Sequence, residues 1–195
     1  MKLPTLALVA VGLVLLFATL FRPEPDGLLE WRVEGNRAYG YGGTDSRSVG
    51  TIRDLVAEHP EVDTLVLQSM PGTRDVDMNR RIARRIRREE LNTHIPADGV
   101  AASGAVTLFL AGVVRTAECG ARIGVHSWGS PTGYDAQSAL WDDQAPRQRA
   151  LLRELGIDAA FYDFTREAAG ADEIHYLTRD EMERWGVVTE ERECP

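Results

Sequence analysis

Short apolar runs alternate along this chain with longer segments in which apolar residues recur at helical spacing. Residues 62–67 form a nearly continuous apolar run, which is typical of a strand buried on both faces. Residues 46–59 have apolar positions at helical spacing, and Pro60 stops that pattern. Strands that alternate with helices require crossover connections between parallel strands. The pattern therefore predicts an α/β fold.

The same periodicities predict the remaining elements. A hairpin over residues 30–43 turns at Gly35-Asn36, and an arginine-rich helix that ends near Leu91 follows a turn at residues 70–73. Further strands are predicted at 93–100, 113–116 and 121–126, and further helices at 103–112, 134–155, 158–169 and 178–185.

Residues 3–21 form an uncharged, almost wholly apolar run. As a helix this run would reach roughly 28 Å, about one hydrocarbon core. Lys2 precedes it and no Ala-x-Ala-like cleavage site follows it, so we expect an uncleaved signal-anchor. The expected organisation is a transmembrane signal-anchor at 1–22, a linker and first hairpin at 23–44, and a folded domain at 45–195. The positive amino-terminal end predicts a single-pass membrane protein with its domain on the periplasmic or extracellular side, although Arg22 opposes that orientation.

The net charge of −8 argues against nucleic acid as a partner, because the overall field repels phosphates. Six arginines within residues 80–88 are a local exception. Their spacing favours the solvated face of an amphipathic helix, with contact to anionic lipid or an acidic partner as the alternative. No group of His, Asp or Glu has the spacing of metal ligands, so we expect no metal and no cofactor.

Cys119 and Cys194 are the chain's two cysteines. In an oxidising compartment a disulfide between them would close a loop of about 75 residues, worth roughly 4 kcal/mol in the chain-entropy model. Two unpaired thiols are the alternative, and the sequence does not decide between them.

Ser103 lies among residues too small to bury it, at the start of a predicted helix, and His126 ends a later predicted strand. A serine hydroxyl becomes a nucleophile only when a neighbouring base takes its proton, so a serine–histidine pair is the minimum for acyl transfer. The alternative is that Ser103 merely caps its helix, since serine is a favoured N-cap residue.

Two glycines are placed to support such chemistry. Gly72, Ser103 and His126 each follow a predicted strand, and the carboxyl ends of parallel strands gather at one edge of a sheet. The Gly72 N–H can approach a substrate closely because no Cβ intrudes, and the Gly104 N–H could supply a second donor. Together they predict an oxyanion hole with two backbone donors.

Most of residues 45–190 resembles the proteolytic subunit of Clp protease, and is most similar to membrane-anchored, Clp-like proteins found outside the cytoplasm. Four segments carry the resemblance: LQSMPGT at 67–73, GVAASGA at 99–105, RIGVH at 122–126, and YLT with WGVV within 176–188. The resemblance implies the spiral of ββα units shared with crotonases, with Ser103 as nucleophile and His126 as general base. It also implies Gly72 and Gly104 as oxyanion donors. It further implies a homo-oligomer in which residues 134–155 occupy the place of the family's interlocking helix.

The third member of the family's triad has no clear counterpart. The position that aligns with its aspartate is Ile174, which cannot orient an imidazole. Asp172 or Glu173 could serve if the loop shifts by one or two residues, and the alternative is that both are solvated acids.

Three functions follow from these observations. The first is a membrane-tethered serine peptidase that cuts peptides or unfolded proteins, with no ATPase partner expected where ATP is absent. The second is a non-catalytic binding or assembly module that keeps the fold without a working triad. The third is a crotonase-like acyl-CoA enzyme, against which the Ser103–His126 pair and the extracytoplasmic placement both argue.

Overall fold

A computed structural model describes residues 28–129 and 142–190 of this chain. The predicted anchor at 1–22 and Cys194 lie outside the described residues, whereas Cys119 is disulfide-bonded. Within 28–129 and 142–190, no helix combines the length and the apolar character needed to cross a bilayer.

The described elements confirm the predicted alternation of strands and helices. The strands are β1 (Glu30–Glu34), β2 (Arg37–Tyr41), β3 (Thr64–Met70), β4 (Asn92–Ile95), β5 (Val100–Ala102), β6 (Arg115–Ala117), β7 (Arg122–Val125) and β8 (His175–Tyr176). The helices are α1 (Thr51–Glu58), α2 (Val76–Arg88), α3 (Gly104–Leu110), α4 (Ala145–Glu154), α5 (Ala160–Ala168) and α6 (Arg179–Arg184), with a 3-10 helix (Ser46–Gly50) before α1.

The prediction of a single strand over residues 93–100 is wrong. A tight turn separates β4 from β5, and in it the Gly99 N–H donates to the Pro96 carbonyl at 2.8 Å. Pro96 has no N–H to contribute to a ladder, which favours a break at this point. The second difference is β8, a two-residue strand that is too short to show a hydrophobic period.

The sheet forks at β3. Its first residues pair with β4, which pairs with β6, whereas its last residues pair with β5, which pairs with β7. All of these pairs are parallel, and the antiparallel strands β1 and β8 lie at the outer edges. The chain thus contributes two strands in succession, β4 then β5 and later β6 then β7. A buried helix, α3, separates the two pairs.

Helix α3 lies at the centre of the core. Every residue from Ala105 to Leu110 is buried, and the Phe109 ring is fully enclosed. The Thr93 hydroxyl donates to the Phe109 carbonyl at 2.7 Å, which ties the helix to β4. The start of α3, where Ser103 lies, is therefore held by a rigid element.

Helix α2 confirms only part of the prediction that its arginines form a solvated face, since Arg81, Arg84 and Arg88 are exposed and the others are not. Arg80 is only 3% exposed, and Arg87 donates to the carbonyls of Leu110 and Leu155. Arg84 is exposed and pairs with Glu154 of α4. One side of α2 packs against α3, so part of the charge of the helix lies inside the protein.

Candidate active site

The candidate site lies where three neighbouring strands end. Strand β5 lies between β3 and β7, and all three run parallel. Gly72 follows β3, Ser103 follows β5 and His126 follows β7. Neighbouring strands lie about 4.8 Å apart, so the three residues are adjacent at the carboxyl edge of the sheet.

Ser103 has a strained backbone. Its φ of 55° and ψ of −126° lie in a region that residues with a Cβ rarely adopt, at a cost of about 1–3 kcal/mol. The residue occupies a sharp strand-to-helix turn, a geometry that exposes the nucleophile of α/β-hydrolases. Although Ser103 is at the N-cap of α3, its side chain makes no capping hydrogen bond. The capping alternative is therefore wrong, and the hydroxyl is free for other contacts.

Gly72 packs directly against this serine. Its φ is +144°, and a Cβ at this position would lie 2.9 Å from the Ser103 Cβ and 3.2 Å from its Oγ. A Cβ at Gly104 would lie 2.7 Å from the Thr73 Cβ. Only glycine allows both backbones to approach this closely, so both glycines are required by the geometry around Ser103.

The backbone N–H groups of Gly72 and Gly104 donate no hydrogen bond to any group in residues 28–129 or 142–190. An N–H in the first turn of a helix has no partner within the helix, which explains the Gly104 group. Two unpartnered donors beside a serine hydroxyl match what an oxyanion hole requires.

A buried asparagine links the two glycines. Asn79 of α2 is 2% exposed, and its Nδ2 donates to the Gly104 carbonyl at 2.8 Å. Its Oδ1 accepts from the Thr44 hydroxyl at 2.9 Å, and the Thr44 N–H donates to the Gly72 carbonyl at 3.0 Å. Sequence reasoning missed Asn79. The signal available was a polar residue on the same helix face as buried Ile82 and Ala83.

The imidazole of His126 is half-buried, and its Nδ1 is hydrogen-bonded to the Ala171 carbonyl at 3.1 Å. A carbonyl only accepts, so Nδ1 carries the proton and Nε2 keeps its lone pair. Burial lowers the pKa of His126 below its ordinary value, and the bond to Ala171 partly offsets this shift. The ring is therefore neutral near pH 7, as a general base must be.

The structure does not bring the predicted acids into contact with this ring. Asp172 and Glu173 are exposed, and within the described ranges neither carboxylate is hydrogen-bonded to the imidazole. The Ala171 carbonyl occupies Nδ1 instead. Ile174 packs against Gly124, where a Cβ would lie 2.7 Å from the Ile174 Cγ2.

Two cavities adjoin Ser103 and His126. The inner cavity has a volume of about 120 Å³, and its walls include Val76, Arg80, Val106, Leu110, Leu152 and Phe161. The outer cavity has a volume of about 310 Å³ and is bounded by the paired segments 43–45 and 71–74. A substrate chain bound across the site would therefore have room on both sides of the serine.

No protein-family model and no curated protein matches this sequence. Solved structures with a similar fold include a mutant of the 1510-N membrane-bound stomatin-specific protease, at 16% identity and a TM-score of 0.51, over 80% of each chain. A ClpP1 mutant from Listeria monocytogenes has 17% identity and a TM-score of 0.52, over 78% of this chain and 88% of that one.

An enoyl-CoA hydratase from Mycobacterium avium subsp. paratuberculosis has 17% identity and a TM-score of 0.50, over 87% of this chain and 69% of that one. At these identities the likeness shows the fold alone. It confirms the predicted α/β fold of the Clp protease and crotonase type, a fold that carries more than one chemistry.

Replacing Asn79 with Ala should lower the free energy of unfolding by about 1–3 kcal/mol, because the Gly104 carbonyl and the Thr44 hydroxyl lose a buried partner. Urea denaturation measures this change. Asn36→Ala is the matched control, since Asn36 also bonds through its amide, to Asp63, but on the surface. Equal losses in the two variants would contradict the assignment of Asn79 as a buried link.

Proposed function

We propose that this protein is a serine peptidase in which Ser103 is the nucleophile and His126 the general base. The observation that carries the proposal is the Ser103 turn. The Ser103 hydroxyl makes no capping bond, and Ser103 shares the walls of both cavities with His126. The backbone N–H groups of Gly72 and Gly104 have no acceptor among the described residues. Strain of this kind persists only where the surrounding structure imposes it, and it concentrates at functional sites.

The reaction follows the usual order of acyl transfer. The Ser103 Oγ attacks the carbonyl carbon of a peptide bond while its proton passes to His126 Nε2. The carbonyl oxygen becomes an oxyanion and accepts from the Gly72 and Gly104 N–H groups. The C–N bond then breaks and the leaving amine takes the proton from Nε2. Water, deprotonated by the same nitrogen, hydrolyses the acyl-enzyme and restores the serine.

The role of a triad acid falls to a backbone carbonyl in this proposal. An orienting group must hold Nδ1–H so that Nε2 faces the nucleophile. The Ala171 carbonyl accepts from Nδ1–H and so leaves Nε2 as the free nitrogen, although it stabilises an imidazolium less than a carboxylate would. The non-catalytic binding module remains the second candidate, because no carboxylate of the described residues contacts the ring.

The residues of the site, rather than the structural neighbours, favour a peptidase over an acyl-CoA enzyme, since both kinds of protein share the fold. One of those neighbours is described as the stomatin-specific protease in complex with a substrate peptide, at 18% identity and a TM-score of 0.52, over 78% of this chain and 71% of that one. The serine and histidine at the strand ends here suit a reaction through an acyl-enzyme, which a hydratase does not need.

The proposal also covers where the protein acts, which depends on residues outside the described ranges. We propose that residues 1–22 tether the domain to a membrane and that the domain acts outside the cytoplasm, on flexible peptides and without an ATPase partner. Assembly into a homo-oligomer through residues 134–155 is part of the same proposal, and of that segment the structure describes α4.

A fluorophosphonate probe should label the wild-type protein, and labelling should disappear in Ser103→Ala because the probe reacts with an activated serine. In-gel fluorescence measures this. The control is Ser46→Ala, which removes an exposed hydroxyl and should label as the wild type does. Absence of labelling in the wild type, or labelling that survives Ser103→Ala, would exclude the peptidase.

The double variant Asp172→Asn, Glu173→Gln should keep its labelling rate within about threefold of the wild type, since the Ala171 carbonyl orients the ring. His126→Ala should lose at least about a hundredfold through loss of the base. A loss of similar size in the double variant would show that one of these carboxylates completes a triad, as the sequence predicted.

The rate of peptide cleavage, measured as kcat/KM against pH, should fall on the acid side with an apparent pKa below about 6.5. His126 must be neutral to accept the proton, and its burial lowers its pKa, so activity persists to lower pH than an exposed histidine would allow. An apparent pKa above about 7 would contradict this account of the imidazole.

A further inference from the structure

The wall of the inner cavity contains a buried arginine. Arg80 of α2 is 3% exposed and lines this cavity together with Ser103 and His126. Arginine is almost never this buried unless it is fully paired. The hydrogen-bond partners that its guanidinium has, and those that it lacks, therefore indicate which kind of ligand binds in the cavity.

Only part of the guanidinium is satisfied. Nη2 donates to the Asp77 carboxylate at 2.6 Å and to the Gln144 side-chain oxygen at 2.9 Å. Nη1 is buried, and no hydrogen-bond partner for it exists among the described residues. A buried donor left without an acceptor costs about 1–3 kcal/mol, more when it is charged. Such a group is stabilised when a ligand supplies the acceptor.

The charges around Arg80 leave an excess of positive charge. Asp77 is 65% exposed and is shared with a second guanidinium, that of Arg147, at 3.8 Å. The group of three carries one net positive charge. Among the described residues that line the inner cavity, Arg80 is the only permanently charged one, and none is an aspartate or glutamate.

We infer that the inner cavity selects an acidic side chain, that of a substrate glutamate or aspartate next to the scissile bond, and that the Arg80 guanidinium in the cavity wall pairs with its carboxylate. This inference rests on the proposed peptidase function. The apolar walls, which include Val106 and Leu152, suit the methylene stem of such a side chain, and the charged end meets the guanidinium.

The alternatives fit this cavity less well. An engineered cavity of about 150 Å³ binds benzene, so a volume of about 120 Å³ has room for a side chain of four or five heavy atoms. Leucine would fill the space but leave the Arg80 guanidinium without a carboxylate. Lysine would place two positive charges together. The expected order of preference is therefore glutamate, then glutamine, leucine and lysine.

Internally quenched peptides that differ at one residue test this inference on the full-length protein. Glutamate, glutamine, leucine and lysine are compared at each of the two positions that flank the cleaved bond. At one of these positions, kcat/KM for glutamate should exceed that for glutamine at least tenfold, since the pair has the same shape and differs in charge. Glutamine equal to or better than glutamate at both positions would overturn the inference.

Two variants of Arg80 test whether this side chain causes the preference for glutamate. Arg80→Gln should reduce the glutamate-to-glutamine ratio to below about threefold, whereas Arg80→Lys should retain part of it. Arg84→Gln is the matched control, because Arg84 lies on the same helix and pairs with Glu154 outside the cavity. A ratio that survives Arg80→Gln would overturn the assignment. If Arg80→Gln fails to fold, the comparison in the wild type still decides whether the cavity prefers acids.

The outcomes separate this inference from the function on which it depends. One outcome is that the fluorophosphonate labels Ser103 while the rate of cleavage does not depend on the charge of the flanking residues. That result would support the proposed peptidase function and overturn the acidic preference. A protein that neither reacts with the probe nor cleaves any peptide would overturn both.

Discussion

The approach of Gly72 to Ser103 is the contact on which the rest of the site depends. A Cβ at residue 72 would lie 2.9 Å from the Ser103 Cβ. The loop that follows β3 can therefore pass this close to the serine only when residue 72 is glycine. This passage places the Gly72 backbone beside the serine side chain. It also restricts the turn that gives Ser103 its positive φ. One close contact thus brings a residue with an unpartnered N–H next to the strained serine.

The fold supplies the rigidity that this constraint needs. Helix α3 is enclosed from Ala105 onwards, so the turn before it cannot relax by moving the helix. Asn79 joins the backbone at Gly104 to Thr44, which in turn holds Gly72. The strained turn therefore lies between elements packed on both sides. A site held in this way is organised before substrate arrives, which is the condition for electrostatic stabilisation of an oxyanion.

Several parts of this arrangement could be predicted from sequence, for a physical reason. Parallel strands end at a common edge, so residues that follow them, such as Gly72, Ser103 and His126, must meet there. The absence of a capping bond from the Ser103 hydroxyl could not be predicted, because serine at a helix start caps in most contexts and only the hydrogen bonds of the structure show that this one does not. The acceptor for His126 was also beyond prediction, since a backbone carbonyl such as that of Ala171 has no signature in side chains.

The burial of Arg80 shows a second limit of sequence reasoning. Helical spacing indicates which residues share a face, but not what covers that face. Gln144, 64 positions away along the chain, is one of the groups that meet the guanidinium. Because of such long-range packing, a residue that the pattern places on a solvated face can form part of a cavity wall. The break between β4 and β5 has a more local cause, and Pro96 could have indicated it.

The crystal structure of the protein after reaction with a fluorophosphonate tests the central claim most directly. The account predicts phosphorus bonded to the Ser103 Oγ, with the phosphoryl oxygen about 3 Å from both the Gly72 and Gly104 nitrogens and His126 Nε2 directed at the adduct. A phosphoryl oxygen that points to solvent, with both N–H groups still unpartnered, would contradict it.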